Sequence, residues 1–184
     1  MNRVDPESDR IGRSSTHLLG AKRVVEIIRS VEMGLDGRVS KRMENELKEA
    51  DVSRHALTFL DILTEAFPDL RNVMDGTRTP ADLRATSLLG SVLTLRVLAG
   101  AYHDLKKHHA FTDEAITDYF VELNDYMGGP VTETSIWHTE LPDSFAIGAM
   151  APQGRRQELK KFNQAVVAWG VLRPDVMNEP AEVA

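Results

Sequence analysis

Residues 87–102, SLLGSVLTLRVLAGAY, are the most apolar stretch of the sequence and carry a single charge, Arg96. The stretch is shorter than the ~20 apolar residues that span a bilayer, and it holds an arginine near its middle. It therefore predicts a buried central helix rather than a membrane span. Thr79-Pro80-Ala81-Asp82 supplies an N-cap threonine, a proline at the first helical position and a first-turn acid. We expect the central helix to cover about 80–107.

The rest of the chain shows helical spacing of apolar residues, with no convincing strand alternation and no repeat. The prediction is an all-α fold: an irregular helical bundle around a central apolar helix (about 80–107), with no substantial sheet. Gly90 and Gly100 in that helix indicate close packing of a neighbouring segment. We expect one helical domain over 1–173, with about ten flexible residues at its start, and a polar tail over 174–184. Further helices are expected over about 14–33, 40–50, 53–67, 112–127 and 153–169, with a long loop between the last two. Ser53 and Thr112 are the expected N-caps of two of them, and Gly34 and Gly170 are expected to end the first and the last.

Composition excludes several classes of protein. The 184 residues include no cysteine, which rules out disulfides, thiolate catalysis and cysteine-based metal sites. The net charge of −6 argues against a nonspecific basic nucleic-acid coat, while leaving room for a local basic patch. The first ten residues, MNRVDPESDR, are too polar for a signal peptide, so we expect a cytoplasmic protein that does not enter a membrane.

Arg96 has three readings. A buried arginine is costly unless it is paired, and its own helix offers no acid, so the carboxylate must come from elsewhere. The acidic segment 111–125 is the expected source of that carboxylate, which makes Arg96 a clamp between two helices, with a backbone carbonyl at a helix end as the other possible partner. Alternatively, Arg96 lines a pocket for an anion such as phosphate, or its helix face is more exposed than the sequence indicates.

The acidic segment and the histidines favour structural roles. Glu114, Asp118, Glu122 and Asp125 share one helix face, which we expect to be solvated. His108-His109 follows two lysines at a helix C-terminus, where cations favour the helix dipole. No standard metal, nucleotide or nucleophile motif is present, so we predict no catalytic residue, no metal and no cofactor.

The most interesting basic cluster lies at the start of the last helix. Gly154-Arg155-Arg156-Gln157 places arginines where they oppose the helix dipole, and the same end is suited to bind an anion. Lys160 and Lys161 follow one turn later. The cluster predicts contact with phosphate groups, with a plain solvated basic face as the alternative.

Three pieces of the chain are similar to a known family. They are Ile11-Gly12-Arg13-Ser14-Ser15, the run FLDILTEAFPDLRNVMDGTRTPADLRATSLLGSVLTLRVLAGAYHDL at 59–105, and the ending IWHTELPDSFAIGAMAPQGRRQELKKFNQAVVAWG at 136–170. Together they resemble the C-terminal helical half of the DGQHR-domain family, which includes the DndB-like DNA sulfur modification proteins. The Asp-Gly-Gln-His-Arg signature, which in the family lies in an N-terminal half, is absent from this sequence. The chain is then expected to be a fragment, one product of a split gene, or a stand-alone helical relative.

The resemblance implies a role in bacterial DNA modification of the phosphorothioation type, or in phage defence, as a regulator that binds DNA. By the same resemblance Arg13, Arg84, Arg155 and Arg156 are the residues to test for DNA contact. The partners implied are DNA, reached through the local basic patch, and the missing N-terminal half.

The function expected is that of a noncatalytic DNA-associated or regulatory module. One alternative is a helical scaffold for a protein partner, with an exposed apolar patch around Trp137, Phe145 and Met150. A second alternative is a nucleotide-acting enzyme that uses Arg96 with the carboxylates of 113–125.

Overall fold

The computed structural model describes residues 4–7, 11–12, 14–37 and 48–172. These residues confirm the all-α prediction: helices dominate, and the β-structure comprises a parallel pair, Val4–Asp5 (β1) with Leu19–Gly20 (β2), and an isolated bridge. No helix in this part of the chain is long and apolar enough to cross a membrane. The helices are α1 (Ala21–Met33), α2 (Glu49–Ala66), α3 (Pro68–Asp75), α4 (Pro80–Thr86), α5 (Val92–His108), α6 (Asp113–Leu123), α7 (Ile136–Glu140) and α8 (Arg156–Val171), with 3-10 turns at Leu88–Gly90 and Asn124–Tyr126.

Several predicted helix ends are confirmed. The Thr79 hydroxyl accepts a hydrogen bond from the backbone N–H of Asp82, and Pro80 is the first residue of α4. The Thr112 hydroxyl caps α6 in the same way, through Ala115. Gly34 ends α1 with a φ of 74°, a conformation that favours glycine.

The expectation of one continuous helix over 80–107 is wrong. Ser87 is extended, with φ −145° and ψ 140°, and its hydroxyl donates to the carbonyl of Met127. The backbone N–H of Leu88 donates to the same carbonyl. The chain therefore leaves the helical conformation to pair with residues around Met127, and α5 starts afresh with Ser91 as its N-cap.

Helix α5 is the centre of the bundle, as the apolar stretch predicts. It packs against α1 on one side and α8 on the other. Its buried residues are Thr94, Leu95, Val97, Leu98, Ala99, Gly100, Ala101, Tyr102 and Leu105.

The predicted packing of a neighbouring segment is confirmed at Gly100, whereas Gly90 lies in the 3-10 turn before α5, where the chain turns back on α4. A Cβ atom added at Gly100 would lie 2.8 Å from the Cβ of Leu35 and 3.0 Å from its backbone nitrogen. One added at Gly90 would lie 2.5 Å from the Cα of Arg84. Gly100 thus lets the segment that follows α1 pack directly on the central helix.

Three other boundaries differ from expectation. Helix α1 begins at Ala21 rather than near Ser14, because the residues just before it pair with β1. Helix α2 begins at Glu49, ahead of the expected cap at Ser53, and most of the expected helix 40–50 lies outside the described residues. Gly170 does not end the last helix; it lies buried within α8, against the ring of Tyr119.

The long connection before α8 is tied down by aromatic side chains. Trp137 and Phe145 are fully buried, and both pack against Phe162 of α8. Trp137 also contacts Trp169, near the end of the same helix. The last helix therefore shares the buried core of the preceding elements. The expected polar tail at 174–184 lies beyond the described residues.

Candidate phosphate-binding cleft

The basic cluster at the start of α8 is exposed to solvent. Arg155 is the N-cap residue in an extended conformation, and Arg156 is the first residue of the helix. Arg155 and Lys160 are exposed and form no ion pair with any other described residue. Both therefore remain available to an external anion.

Two members of the cluster already have acidic partners. The Nε of Arg156 donates to Asp36 at 2.9 Å. Lys161 lies 3.4 Å from Asp143 and 3.2 Å from Glu158, and these hydrogen bonds raise the pKa of its ammonium group. Such exposed pairs are weak in water, so they hold the side chains without blocking a stronger anion.

Arg84 and Arg13 stand apart from this cluster. The Arg84 guanidinium donates to the backbone carbonyls of His17, at 3.0 Å, and Ser15, at 2.5 Å. Burial lowers the pKa of Arg84. Arg84 thus fastens the segment before α1 to α4, and we do not include it in the candidate site. Arg13 lies outside the described residues.

A polar cavity of about 290 Å³ lies beside the start of α8. It is bounded by α1, the segment 34–37, α5 and the beginning of α8. Its charged lining consists of Arg29, Arg96, Arg156, Glu26 and Asp36. We call this cavity the arginine cleft.

The carboxylate nearest to Arg96 comes from α1 and not from the acidic segment 111–125, so that expectation is wrong. The Nη1 of Arg96 lies 3.8 Å from Glu26, and none of the residues 113–125 lines the cleft. Asp113 instead accepts from Tyr102 at 3.0 Å and from Lys106 at 2.6 Å. The remaining acids of α6 and the turn after it are exposed, as predicted for a solvated face.

Glu26 is shared unequally between two arginines. The Nη1 of Arg23 lies 3.0 Å and 2.8 Å from the two carboxylate oxygens, much closer than Arg96. The side chain of Arg96 is only 24% exposed, and its Nε is buried without a hydrogen-bond partner among the described residues. Buried polar atoms are nearly always paired, so Arg96 is an under-partnered cation on the wall of a polar cleft.

Replacement of Arg96 by alanine is expected to lower the free energy of unfolding by only about 1 kcal/mol. A lone buried acid would cost ~3 kcal/mol or more, but Glu26 keeps Arg23. The remaining loss comes from packing of the aliphatic part of the side chain. Urea unfolding followed by circular dichroism measures the change, with Arg54→Ala, an exposed arginine on α2, as the control. A loss above 3 kcal/mol would show that the Glu26 pair is worth far more than its length indicates.

The sequence identified the cleft residues on α5 and α8 but not those on α1 and in the segment 34–37. It identified Arg96 and Arg156, but Arg29, Glu26 and Asp36 reach the site through the packing of α1 on α5. An alternation of charge along α1, with Arg23, Glu26 and Arg29 at three-residue intervals, was the available signal.

A scan against protein-family models gives no match, and searches of curated proteins and of solved structures give no significant match. The fold and the cleft define a class only: an all-α chain with an arginine-lined cavity at the start of its last helix. The resemblance to the DGQHR-domain family stays a prediction.

Proposed function

We propose that this chain is a noncatalytic phosphate-binding module that contacts the backbone of DNA through the arginine cleft and the exposed start of α8. The observation that carries the proposal is Arg96, whose one described ion pair is 3.8 Å long and whose Nε is unpaired. Arginine binds phosphate by parallel hydrogen bonds from its planar guanidinium group. A phosphate oxygen in the cleft would give the guanidinium of Arg96 a closer acceptor than Glu26, which lies 3.8 Å from Nη1.

The surroundings of Arg96 support a phosphate ligand. Arg29 and Arg156 line the same cavity, Arg155 is the N-cap residue directly before Arg156, and Lys160 follows one turn later on α8. Arg29 is exposed and has no ion pair among the described residues. Local positive charge of this kind attracts a polyanion even when the whole chain carries a net charge of −6.

The resemblance to the DGQHR-domain family supports DNA as the source of the phosphate. We propose a role in the regulation of phosphorothioation-type DNA modification or in phage defence, in the bacterial cytoplasm. A protein partner that carries the DGQHR half fits the same proposal.

Binding to duplex DNA is expected to weaken steeply with salt, because each phosphate neutralised releases counterions. Fluorescence anisotropy from low to physiological salt measures this dependence. The double variant Arg155→Ala/Arg156→Ala is expected to weaken binding to all sequences and to reduce the slope of log K against log salt by about two.

A matched control removes two positive charges from outside the proposed DNA-binding surface. Arg54→Ala/Lys107→Ala loses two cations on α2 and at the far end of α5, and is expected to keep most of the salt slope. The proposal fails if the wild-type chain does not bind DNA at low salt, or if the control loses as much affinity as the double variant.

A scaffold for a protein partner is the second candidate function. The predicted patch does not carry it, because Trp137 and Phe145 are fully buried. A different apolar groove of about 310 Å³ lies between α1, α2 and α3, and Leu57 on its rim is 61% exposed. Absence of DNA binding would favour a protein partner that binds this groove. The enzyme alternative loses its proposed site, because the carboxylates of 113–125 do not line the arginine cleft.

A further inference from the structure

A second cluster of functional side chains lies on the other side of the segment 34–37. His103, Asp104 and His108 of α5 bring three ligand atoms within 4.8 Å of one another. We propose that these residues bind a divalent transition metal ion, with zinc as the ion that best fits two imidazole nitrogens and one carboxylate oxygen.

His103 is held in the orientation that a metal ligand needs. Its Nδ1 lies 3.0 Å from the carbonyl oxygen of Val31. A carbonyl only accepts hydrogen bonds, so Nδ1 carries the proton and donates it to Val31. The other ring nitrogen, Nε2, is then left to bind the ion, an arrangement that recurs in the histidine ligands of metal proteins.

Asp104 is oriented by a side chain of α8. The buried amide of Asn163 satisfies both of its ends when its nitrogen donates to Oδ2 of Asp104, at 3.0 Å, and its oxygen accepts from the backbone N–H of Ala101, at 2.9 Å. The second carboxylate oxygen, Oδ1, lies 3.9 Å from Nε2 of His108. Ligating carboxylates in metal sites are typically fixed by such outer hydrogen bonds.

The His108 side chain must move to complete the three-ligand site. Ligand atoms bound to one zinc ion at ~2 Å lie roughly 3.3 Å apart. The three ligand atoms here lie within 4.8 Å of one another, so the His108 side chain must turn toward the other two ligands. The His108 side chain is 65% exposed and has room to turn. Two ligands are thus fixed in advance and the third is mobile.

Gly34 leaves the space in front of the cluster. A Cβ atom at this position would lie 3.3 Å from Oδ1 of Asp104 and 3.8 Å from Nε2 of His103, the two ligand atoms themselves. Beyond His108, a broad depression lined by Asp104, His109 and Asn163 opens to solvent. The remaining coordination positions therefore face water, as in zinc sites that have three protein ligands.

Isothermal titration calorimetry with zinc chloride tests the site on the full chain without a histidine tag. We expect one ion to bind per chain, and His108→Ala to weaken zinc binding at least tenfold. The matched control is His55→Ala, which removes an imidazole on α2 that pairs with Glu32 and lies outside the cluster, and it is expected to change the affinity less than threefold. Because His108 is mostly exposed, its replacement should leave the fold intact, which circular dichroism checks.

A spectroscopic readout addresses the ligand set directly. Cobalt(II) bound to two nitrogens and a carboxylate gives visible absorption bands, and we expect His103→Gln to abolish them at an equal cobalt concentration. The proposal is overturned if micromolar zinc does not bind at one ion per chain, or if His55→Ala weakens binding as much as His108→Ala. Neither result depends on whether the chain binds DNA.

Discussion

Trp137→Ala is expected to lower the free energy of unfolding by about 4 kcal/mol, the largest single loss that we predict for this fold. Removal of a fully buried tryptophan leaves a cavity that the surroundings fill only in part. The ring contacts Phe162 at 5.1 Å and Phe145 at 5.5 Å between centroids, and its N–H donates to the carbonyl of Tyr126. Urea unfolding followed by circular dichroism measures the change, and the melting temperature should fall by about 8–16 °C.

Trp137→Phe separates the two contributions of this side chain. It retains an aromatic ring for Phe162 and loses the N–H, so we expect a loss of about 1–2 kcal/mol from the unpaired carbonyl of Tyr126 and the smaller ring. A loss below 1 kcal/mol for Trp137→Ala would contradict the structure. It would mean that the long connection before α8 does not share the core with α5.

The central helix illustrates what the sequence predicts well. The apolar run that ends at Tyr102 carries one charge, so most of its surface must be covered, and α1 and α8 supply most of the cover. The caps at Thr79 and Thr112 follow from the chemistry of one hydroxyl and one backbone N–H, which are close in sequence. Both of these caps are confirmed, whereas the starts expected near Ser14 and at Ser53 are not, because α1 and α2 begin at other residues.

The break at Ser87 shows why the boundary of that helix was missed. Residues 80–107 carry no proline after the first position, and propensity alone favours a continuous helix. The break is imposed by Met127, forty residues away, whose carbonyl takes hydrogen bonds from both Ser87 and Leu88. No local sequence pattern predicts a hydrogen-bond acceptor that lies forty residues away along the chain.

The two candidate sites were predictable to different degrees. Arg156 could be identified from the sequence, because an arginine at a helix N-terminus opposes the helix dipole. The metal cluster could not be identified in this way, because His103 and His108 are five residues apart and lack the i, i+4 spacing of familiar helical zinc motifs. Their convergence depends on Val31 and Asn163, which orient the ligands from α1 and α8.

Gly100 links both sites, and Gly100→Val is expected to lower the free energy of unfolding by about 3 kcal/mol. The new Cβ would meet Leu35 at 2.8 Å, close to its backbone, so the segment 34–37 must move away from α5. Helix propensity offers little compensation, because valine is itself a poor helix former. Thermal and urea unfolding measure the loss. Gly128→Val is the matched control, since a Cβ added there meets nothing within 4 Å, and it should cost less than about 1 kcal/mol.

Gly100→Val should also weaken the binding of both proposed ligands, DNA phosphate and zinc. The segment 34–37 forms one wall of the arginine cleft and carries Asp36, the partner of Arg156. Its first residue, Gly34, lies against Oδ1 of Asp104. The added Cβ would also lie 3.0 Å from the amide of Asn163, which orients that carboxylate. Gly100→Val that stays as stable as the wild type, with both affinities unchanged, would show that the segment does not pack on α5 as described. Loss of both affinities, with the control intact, would mean that one close contact between the segment 34–37 and the central helix sets the geometry of both sites.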